Sequence, residues 1–234
     1  MSWYNEAIFY HIYPLGLSGA PKQNDYSTPV HRLNTLLPWI DHIKAIGCTA
    51  LYIGPLFESV GHGYETTDYK KLDSRLGTNE DLTTFVKVCH EKGIKVIFDG
   101  VFNHTGRDFF AFKDIQKNRE HSPYLNWYCN VNFYGNNEYN DGFSYDNWGG
   151  YNLLVKLNQV FIKTSPRSRH LTVCFFQLLL QFIIPVRIKY IHIGALSGRQ
   201  LIKVTQFLAG NSNKWNIRPM FRHCQNTKKK LVGI

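Results

Sequence analysis

Residues 93–104, Gly-Ile-Lys-Val-Ile-Phe-Asp-Gly-Val-Phe-Asn-His, constrain the fold of this chain more than any other stretch. The run 94–98 is apolar, rich in β-branched residues and bounded by glycine, which is typical of a strand buried on both faces. Asp99, Asn103 and His104 follow at once, and in α/β barrels the carboxyl ends of strands carry the chemistry. Taken alone, the stretch fits either a functional strand end or a buried strand followed by an ordinary polar turn.

Two further strand and helix patterns precede this stretch, and each helix pattern ends in a glycine just before the next strand. Such alternation predicts βα units with a parallel sheet, so the fold class is expected to be α/β. Helical spacing of apolar residues and glycine stops define the helices. The predicted elements are a strand at 7–14, a loop at 15–32, a helix at 33–46, a strand at 48–56, a loop at 57–78, a helix at 79–90 and a strand at 94–98.

Residues 105–153 interrupt this alternation. They are rich in Asn, Tyr, Trp and Gly, and they show no clear hydrophobic period. A connection of that length inside a compact domain is usually functional or a small subdomain of its own. We therefore expect an insertion after the third strand.

Charge divides the chain into two unequal parts. Residues 1–146 carry 13 Lys plus Arg and all 17 Asp plus Glu, a formal net charge of −4. Residues 147–234 carry 14 Lys plus Arg and no acidic residue, a formal net charge of +14. The overall charge of +10 is therefore an average of a mildly acidic protein and a purely basic tail.

The five cysteines are odd in number, widely scattered and without metal-ligand spacing. This pattern predicts reduced thiols in a reducing compartment, and no basic and apolar leader precedes the first strand. The expected location is cytoplasmic. The cysteines are Cys48, Cys89, Cys129, Cys174 and Cys224.

Several separate motifs together resemble glycoside hydrolase family 13, the α-amylase family, over residues 3–158. Any one of them alone would be weak, but their order and spacing match those of the family. The short fragment 156–158 resembles the cyclomaltodextrinase and neopullulanase-like members. The motifs are His62-Gly63-Tyr64-Glu65-Thr66-Thr67-Asp68-Tyr69, Leu76-Gly77-Thr78, Asp99-Gly100-Val101-Phe102-Asn103-His104 and Lys156-Leu157-Asn158, with further matches at 10–14 and 53–56.

The resemblance implies roles for particular side chains. Tyr64 matches the aromatic residue that stacks under the sugar on the non-reducing side of the cleaved bond. His62 and His104 match histidines that hydrogen-bond the hydroxyl groups of that sugar. Asp99 matches a buried acid that holds the end of the third strand in shape. Asn103 matches a position that binds a structural calcium in many, though not all, members; no other cofactor is implied.

The resemblance also shows what the sequence lacks. Family members use two carboxylates in a retaining mechanism, an Asp nucleophile after strand four and a Glu acid/base after strand five, assisted by a third acid. All three follow the Lys-Leu-Asn motif, and here no Asp or Glu follows Asp146. An average composition would give about ten acids in such a tail. One hypothesis is that a frameshift or a gene-model error replaced the second half of the barrel.

The tail contains two further features, an apolar run and a lysine cluster. Residues 171–186 are apolar, but they include two Gln and one Pro and are shorter than the roughly 20 residues that span a bilayer, so membrane association is not favoured. Residues 228–230 are three lysines, but no motif supports nucleic-acid binding, and a solvated basic end is expected instead.

These observations predict an incomplete (β/α)8 TIM barrel with a basic tail of unrelated appearance. The predicted parts are three βα units (1–104), a domain B-like insertion (105–158) and the aberrant tail (159–234). The predicted function is an α-glucan or maltodextrin hydrolase by family, inactive as written, with an α-1,4-glucan or maltooligosaccharide as partner. The alternatives are a sugar-binding remnant without chemistry and an interaction protein that uses the tail. Three open strands predict marginal stability and a poorly packed tail.

Overall fold

The computed structural model describes residues 3–159 and the short strands at 190–192 and 203–205. Short 3₁₀ turns occur at Trp3–Asn5, Arg32–Leu36, Arg119–His121 and Leu125–Trp127. The other elements are β1 (Phe9–Ile12), α1 (Pro14–Leu17), α2 (Leu37–Ala45), β2 (Ala50–Ile53), β3 (Phe57–Ser59), β4 (Thr66–Leu72), α3 (Asn79–Glu91), β5 (Lys95–Phe98), β6 (His104–Gly106), α4 (Phe110–Asn118), β7 (Asn147–Trp148), β8 (Tyr151–Lys156), β9 (Tyr190–His192) and β10 (Lys203–Thr205).

The predicted parallel sheet is present, with the strand order β1-β2-β5. Its register places Ile12 beside Ile53 and Ile53 beside Phe98, so the carboxyl ends of the three strands lie level. Helices α2 and α3 connect the strands, as the alternating pattern predicted. The loops that follow the strands therefore meet at one edge of the sheet.

The two faces of the sheet differ in burial. On one face, Tyr10 packs against Trp39 of α2, and the apolar side chains between the sheet and the two helices are fully buried. At about 25 cal/mol per Å² of apolar surface removed from water, this layer provides the main stabilisation of the three units. The opposite face is more open: Phe9 is 44% exposed, and His11 stacks on the half-buried Tyr52.

Helix α3 shows why its boundaries follow from the sequence. The Thr78 hydroxyl accepts a hydrogen bond from the Asp81 N–H, and the Asp81 carboxylate accepts one from the Thr78 N–H, which is a capping box. Gly93 has a φ of +75°, a left-handed conformation that suits glycine at a helix end. The helix predicted at 79–90 is thus confirmed, with one extra residue.

The helix predicted at 33–46 is divided into a 3₁₀ turn and α2. Pro38 lies in the first turn of α2, where its missing N–H costs nothing, but a proline further inside a helix would break it. The α-helix therefore begins at Leu37 instead of Leu33. The short helix α1 begins at Pro14 for the same reason, so it takes the last residue of the strand predicted at 7–14 and the start of the loop predicted at 15–32.

The loop predicted at 57–78 is wrong in its first part, because β3 and β4 form an antiparallel pair there. Polar and charged residues dominate these strands, so their hydrophobic pattern is weak. Tertiary hydrogen bonds stabilise them instead: the buried carboxylate of Glu58 accepts from the Ser74 N–H at 2.6 Å and from the Lys71 ammonium at 2.9 Å.

The insertion after β5 is a small subdomain built on the antiparallel sheet β6-β8-β7 and on α4, a helix that the sequence did not predict. Phe112 of α4 packs edge-on against Tyr128 and Tyr145. Arg107 forms a two-pronged ion pair with Asp141 at 2.8 and 2.9 Å. The domain boundaries at 104 and 158 stay predictions.

Most of the tail lies outside the described residues, including the apolar run 171–186 and the lysines 228–230. The expectations for these residues and for the packing of the tail therefore stay predictions. In the part of the chain that the structure describes, β9 and β10 pair antiparallel. No helix in that part is long and apolar enough to cross a membrane. Cys48 and Cys89 are buried free thiols, and Cys129 is a half-buried one. Cys174 and Cys224 also lie outside the described part.

Candidate functional site

Tyr64 lies in the turn between β3 and β4, at the carboxyl end of β2. The neighbouring Gly63 has a φ of +105°, and an added Cβ there would collide with the ring of Pro55. A glycine is therefore needed for the turn to pack this closely on the residues after β2. The packing places the half-buried ring of Tyr64 at the edge of the sheet where the loops converge.

The two histidines predicted as sugar ligands both contact the main chain of Tyr64. The Tyr64 N–H donates to Nδ1 of His62 at 3.4 Å, and the Tyr64 carbonyl accepts from Nε2 of His104 at 3.1 Å. The rings of His62 and Tyr64 are also neighbours, with centroids 5.6 Å apart. The structure thus brings His62, Tyr64 and His104 together, and their role in sugar binding stays a prediction.

Asp99 fixes the other end of the Tyr64 side chain. Burial, the charge of Asp99 and a hydrogen bond with its carboxylate all raise the pKa of the Tyr64 hydroxyl. The same three causes, burial first, raise the pKa of Tyr52 on the open face of the sheet. Asp99 itself is buried, and its N–H donates to the Ile53 carbonyl at 3.0 Å, so the carboxylate is held at the end of β5.

His104 is only 1% exposed and is neutral at physiological pH. Burial lowers its pKa to about 4, although the bond to the Tyr64 carbonyl acts in the opposite direction. Because a carbonyl only accepts hydrogen bonds, Nε2 carries the proton, and Nδ1 accepts from the Asn103 amide at 3.4 Å. The ring also lies against Trp148 of the insertion, with centroids 5.6 Å apart.

Asn103 is tied into the protein at both its side chain and its main chain. Its amide donates to His104, and its carbonyl accepts from the Leu157 N–H at 3.0 Å. Among the described residues, no group of three or more His, Cys, Asp or Glu side chains is placed to hold a metal ion. A structural calcium at Asn103 stays a prediction.

The Lys-Leu-Asn motif returns the insertion to the site. Lys156 pairs with His104 at the end of the β6-β8 ladder, and the next residue, Leu157, reaches Asn103. The side-chain amide of Gln159 then donates to the Phe102 carbonyl at 2.6 Å. The three-residue fragment therefore lies beside the polar end of β5.

Glu65 is a site residue that the sequence analysis did not single out. One of its carboxylate oxygens accepts from Nε2 of His62 at 3.1 Å, and the other accepts from the Gly63 N–H at 3.2 Å. The sequence contained one signal: Glu65 lies inside the motif, directly after His62 and Tyr64 and directly before β4. The signal was missed because a glutamate in a turn is usually a solvated charge.

A second missed group, formed by Ser59, Asp73 and Arg75, lies behind the same turn. The Arg75 guanidinium makes a two-pronged ion pair with Asp73 at 2.8 and 2.7 Å. It also donates to the Gly61 carbonyl at 2.7 Å and to the Ser59 hydroxyl at 3.0 Å. Burial lowers the pKa of Arg75, but the bond and charge of Asp73 outweigh it, so the side chain stays charged.

A family model of the alpha-amylase catalytic domain matches residues 31–161, which is more than half of the chain. The chain belongs to the α-amylase family. The resemblance inferred from the motifs is thereby confirmed, including its cyclomaltodextrinase-like character.

Among curated relatives, a cyclomaltodextrinase from Bacillus sp is 36% identical over 142 residues, covering 54% of this chain and 25% of that protein. Neopullulanase 2 from Thermoactinomyces vulgaris is 35% identical over 145 residues, covering 54% of this chain and 24% of that protein. This chain therefore spans about a quarter of the length of the curated relatives that it matches.

Among solved structures, the ligand-free cyclic alpha-maltosyl-(1→6)-maltose hydrolase from Arthrobacter globiformis matches with a TM-score of 0.62 and 27% identity. The match covers 82% of this chain and 44% of that enzyme. The fold of this member of the α-amylase family is thus of the α-amylase TIM-barrel type, present here as part of a domain.

Proposed function

We propose that this chain carries one wall of an α-1,4-glucan-binding site, with Tyr64 as its sugar-stacking surface. The observation that supports this most is the convergence of His62, His104 and Asp99 on Tyr64. A pyranose ring needs a flat apolar surface held in a fixed orientation, and Tyr64 is held at its N–H, its carbonyl and its hydroxyl. The relatives named as maltodextrin- and pullulan-active enzymes support the choice of sugar.

We further propose that the chain as written binds glucan without hydrolysing it. A retaining glycosidase needs two carboxyl groups about 5–5.5 Å apart on either side of the scissile bond. The carboxylates next to Tyr64 are Asp99 and Glu65, and both are buried and already bonded to tyrosine hydroxyls or to His62. No acidic residue follows Asp146 in the sequence, so the tail contains neither a nucleophile nor an acid/base.

We propose that the chain has three parts. Residues 1–104 are the first three βα units of the barrel, 105–158 are a domain B-like insertion, and 159–234 are a tail of different origin. The acids end at Asp146, and the family match ends near the same point, at residue 161. The open face of the sheet around Phe9 and Tyr52 is the face that barrel closure would bury.

Isothermal titration calorimetry of the full chain with maltoheptaose tests the binding proposal. The expected result is specific binding of maltoheptaose, with no heat from cellohexaose, whose β-linked chain has a different shape. Replacing Tyr64→Ala is expected to raise the Kd roughly tenfold, because stacking and contact area are both lost. A wild-type chain that does not distinguish the two sugars would contradict the proposal.

Tyr134→Ala is the matched control, since Tyr134 is fully exposed at 102% and lies in the insertion. It should leave the Kd unchanged, and an equal loss in both variants would show that Tyr64 has no special role. A reducing-end assay with maltoheptaose or β-cyclodextrin is expected to show no release by the full chain. Measurable turnover would contradict the absence of catalytic carboxylates.

A further inference from the structure

We infer that Glu65 is the positioning residue of the candidate site, because it fixes the His62 ring that holds the Tyr64 peptide. The role in sugar binding rests on the function proposed above, but the geometry stands on its own. The Glu65 side chain is only 3% exposed, whereas its partner His62 is 59% exposed. A carboxylate buried to this extent must have its oxygens bonded, and both are.

The hydrogen bonds form a short relay from Glu65 to the Tyr64 peptide. One Glu65 oxygen accepts from Nε2–H of His62 at 3.1 Å, so Nε2 carries the ring proton. That leaves the lone pair of Nδ1 to accept from the Tyr64 N–H at 3.4 Å. The other Glu65 oxygen holds the Gly63 N–H at 3.2 Å. One carboxylate thus controls two successive amides of the turn, one directly and one through the imidazole.

The Glu65 backbone is itself anchored to the insertion. A Cβ added at Gly106 of β6 would lie 2.6 Å from the Glu65 carbonyl oxygen, so the two backbones are in close contact. The Val60 N–H donates to the same carbonyl at 3.3 Å. Glu65 therefore lies where the β3-β4 pair meets the insertion, and its side chain transmits that fixed position to His62.

Glu65 thus orients the turn that carries Tyr64, which a buried ion pair elsewhere in the hairpin does not do. Glu58 is equally buried in the same hairpin, but its carboxylate bonds Ser74 and Lys71 and contacts neither His62 nor the turn at Tyr64. Replacing Glu58 should therefore disturb the hairpin without a specific effect at Tyr64. The two glutamates are therefore matched in burial and lie in the same hairpin.

Residue-resolved amide hydrogen exchange on the full chain, measured by NMR, tests the inference. In Glu65→Ala, exchange at the Gly63 and Tyr64 amides is expected to accelerate at least tenfold relative to the amides of α3. Glu65→Gln should give an intermediate effect, because its single acceptor oxygen serves one of the two donors. Glu58→Gln should leave both amides protected while lowering the Tm.

Unchanged exchange at Tyr64 in both folded Glu65 variants would overturn the inference, as would an equal acceleration in Glu58→Gln. Should Glu65→Ala fail to fold, Glu65→Gln decides alone, because it keeps the side-chain volume. Maltoheptaose affinity is the second measurement: the Kd should rise in Glu65→Ala and stay unchanged in Glu58→Gln. If the wild type binds no maltoheptaose, the proposed function fails while the exchange result still decides the role of Glu65.

Discussion

At the scale of single residues, the candidate site is defined by the hydrogen bonds that His62, His104 and Asp99 make with Tyr64. Tyr64 has a half-buried ring and is held at its main-chain N–H, its main-chain carbonyl and its side-chain hydroxyl. The sequence motif singled out Tyr64, His62, His104 and Asp99 as candidate site residues. It could not show that both histidines bond the Tyr64 main chain, because that depends on how the hairpin and β5 lie against each other.

The neutral, buried His104 predicts a pH dependence of stability. Its pKa is about 4 in the folded protein and about 6.5 in an unfolded chain, so below pH 6.5 the unfolded chain binds a proton that the folded chain does not. The free energy of unfolding should therefore fall as the pH decreases from about 6.5 to about 4. At pH 5 the expected loss from this residue is about 2 kcal/mol.

Urea unfolding at pH 7 and pH 5 measures this loss. His104→Gln removes the titrating group, so the difference in free energy of unfolding between the two pH values should shrink by about 2 kcal/mol. His121→Gln, at an exposed position, should keep the dependence of the wild type. If the difference is the same in all three proteins, His104 does not remain neutral on folding.

At the scale of elements, α3 provides a clean test because one half of its capping box, the Thr78 hydroxyl, can be removed by a single substitution. Thr78→Ala removes the hydroxyl that accepts the Asp81 N–H, which should reduce the free energy of unfolding by about 1 kcal/mol. Thr84→Ala in the same helix is the control: the residue is exposed, and alanine has the higher helix propensity, so stability should not fall. Thermal unfolding followed by circular dichroism compares the two, and an equal loss would argue against the capping box.

Elements with a strong hydrophobic period were predictable, and elements held by polar contacts were not. The three parallel strands and α3 follow from apolar runs and stop signals. The hairpin β3-β4 was predicted as a loop, because its stability depends on Glu58, Asp73 and Arg75, which bond Ser74, Ser59 and Gly61 at separations of 14 to 16 positions. Helix α4 was missed since its buried side chains, Ala111, Phe112 and Ile115, form too short a stripe to stand out from an aromatic-rich segment.

At the scale of the whole molecule, the acid-free tail supports a hypothesis that the coding DNA can test. If a frameshift separates the tail from the rest of the barrel, another frame past codon 158 should encode Gly-x-Arg-x-Asp and a downstream Glu. The match to the family model ends at residue 161, close to this codon. Sequencing the transcript across this point gives the result, and two frames without these motifs would refute the hypothesis.

The closure of the insertion on itself has a topological consequence. His104 pairs with Lys156, and Leu157 bonds Asn103, so the chain leaves the barrel and returns to it at adjacent positions. The order of the barrel strands therefore does not depend on the length of the chain between His104 and Lys156. Closure entropy changes by only about 0.6 kcal/mol for each doubling of a flexible loop. The insertion is in this sense a module: the loops distant from Gly106 and Trp148 can differ in length while the two ends of the insertion stay adjacent.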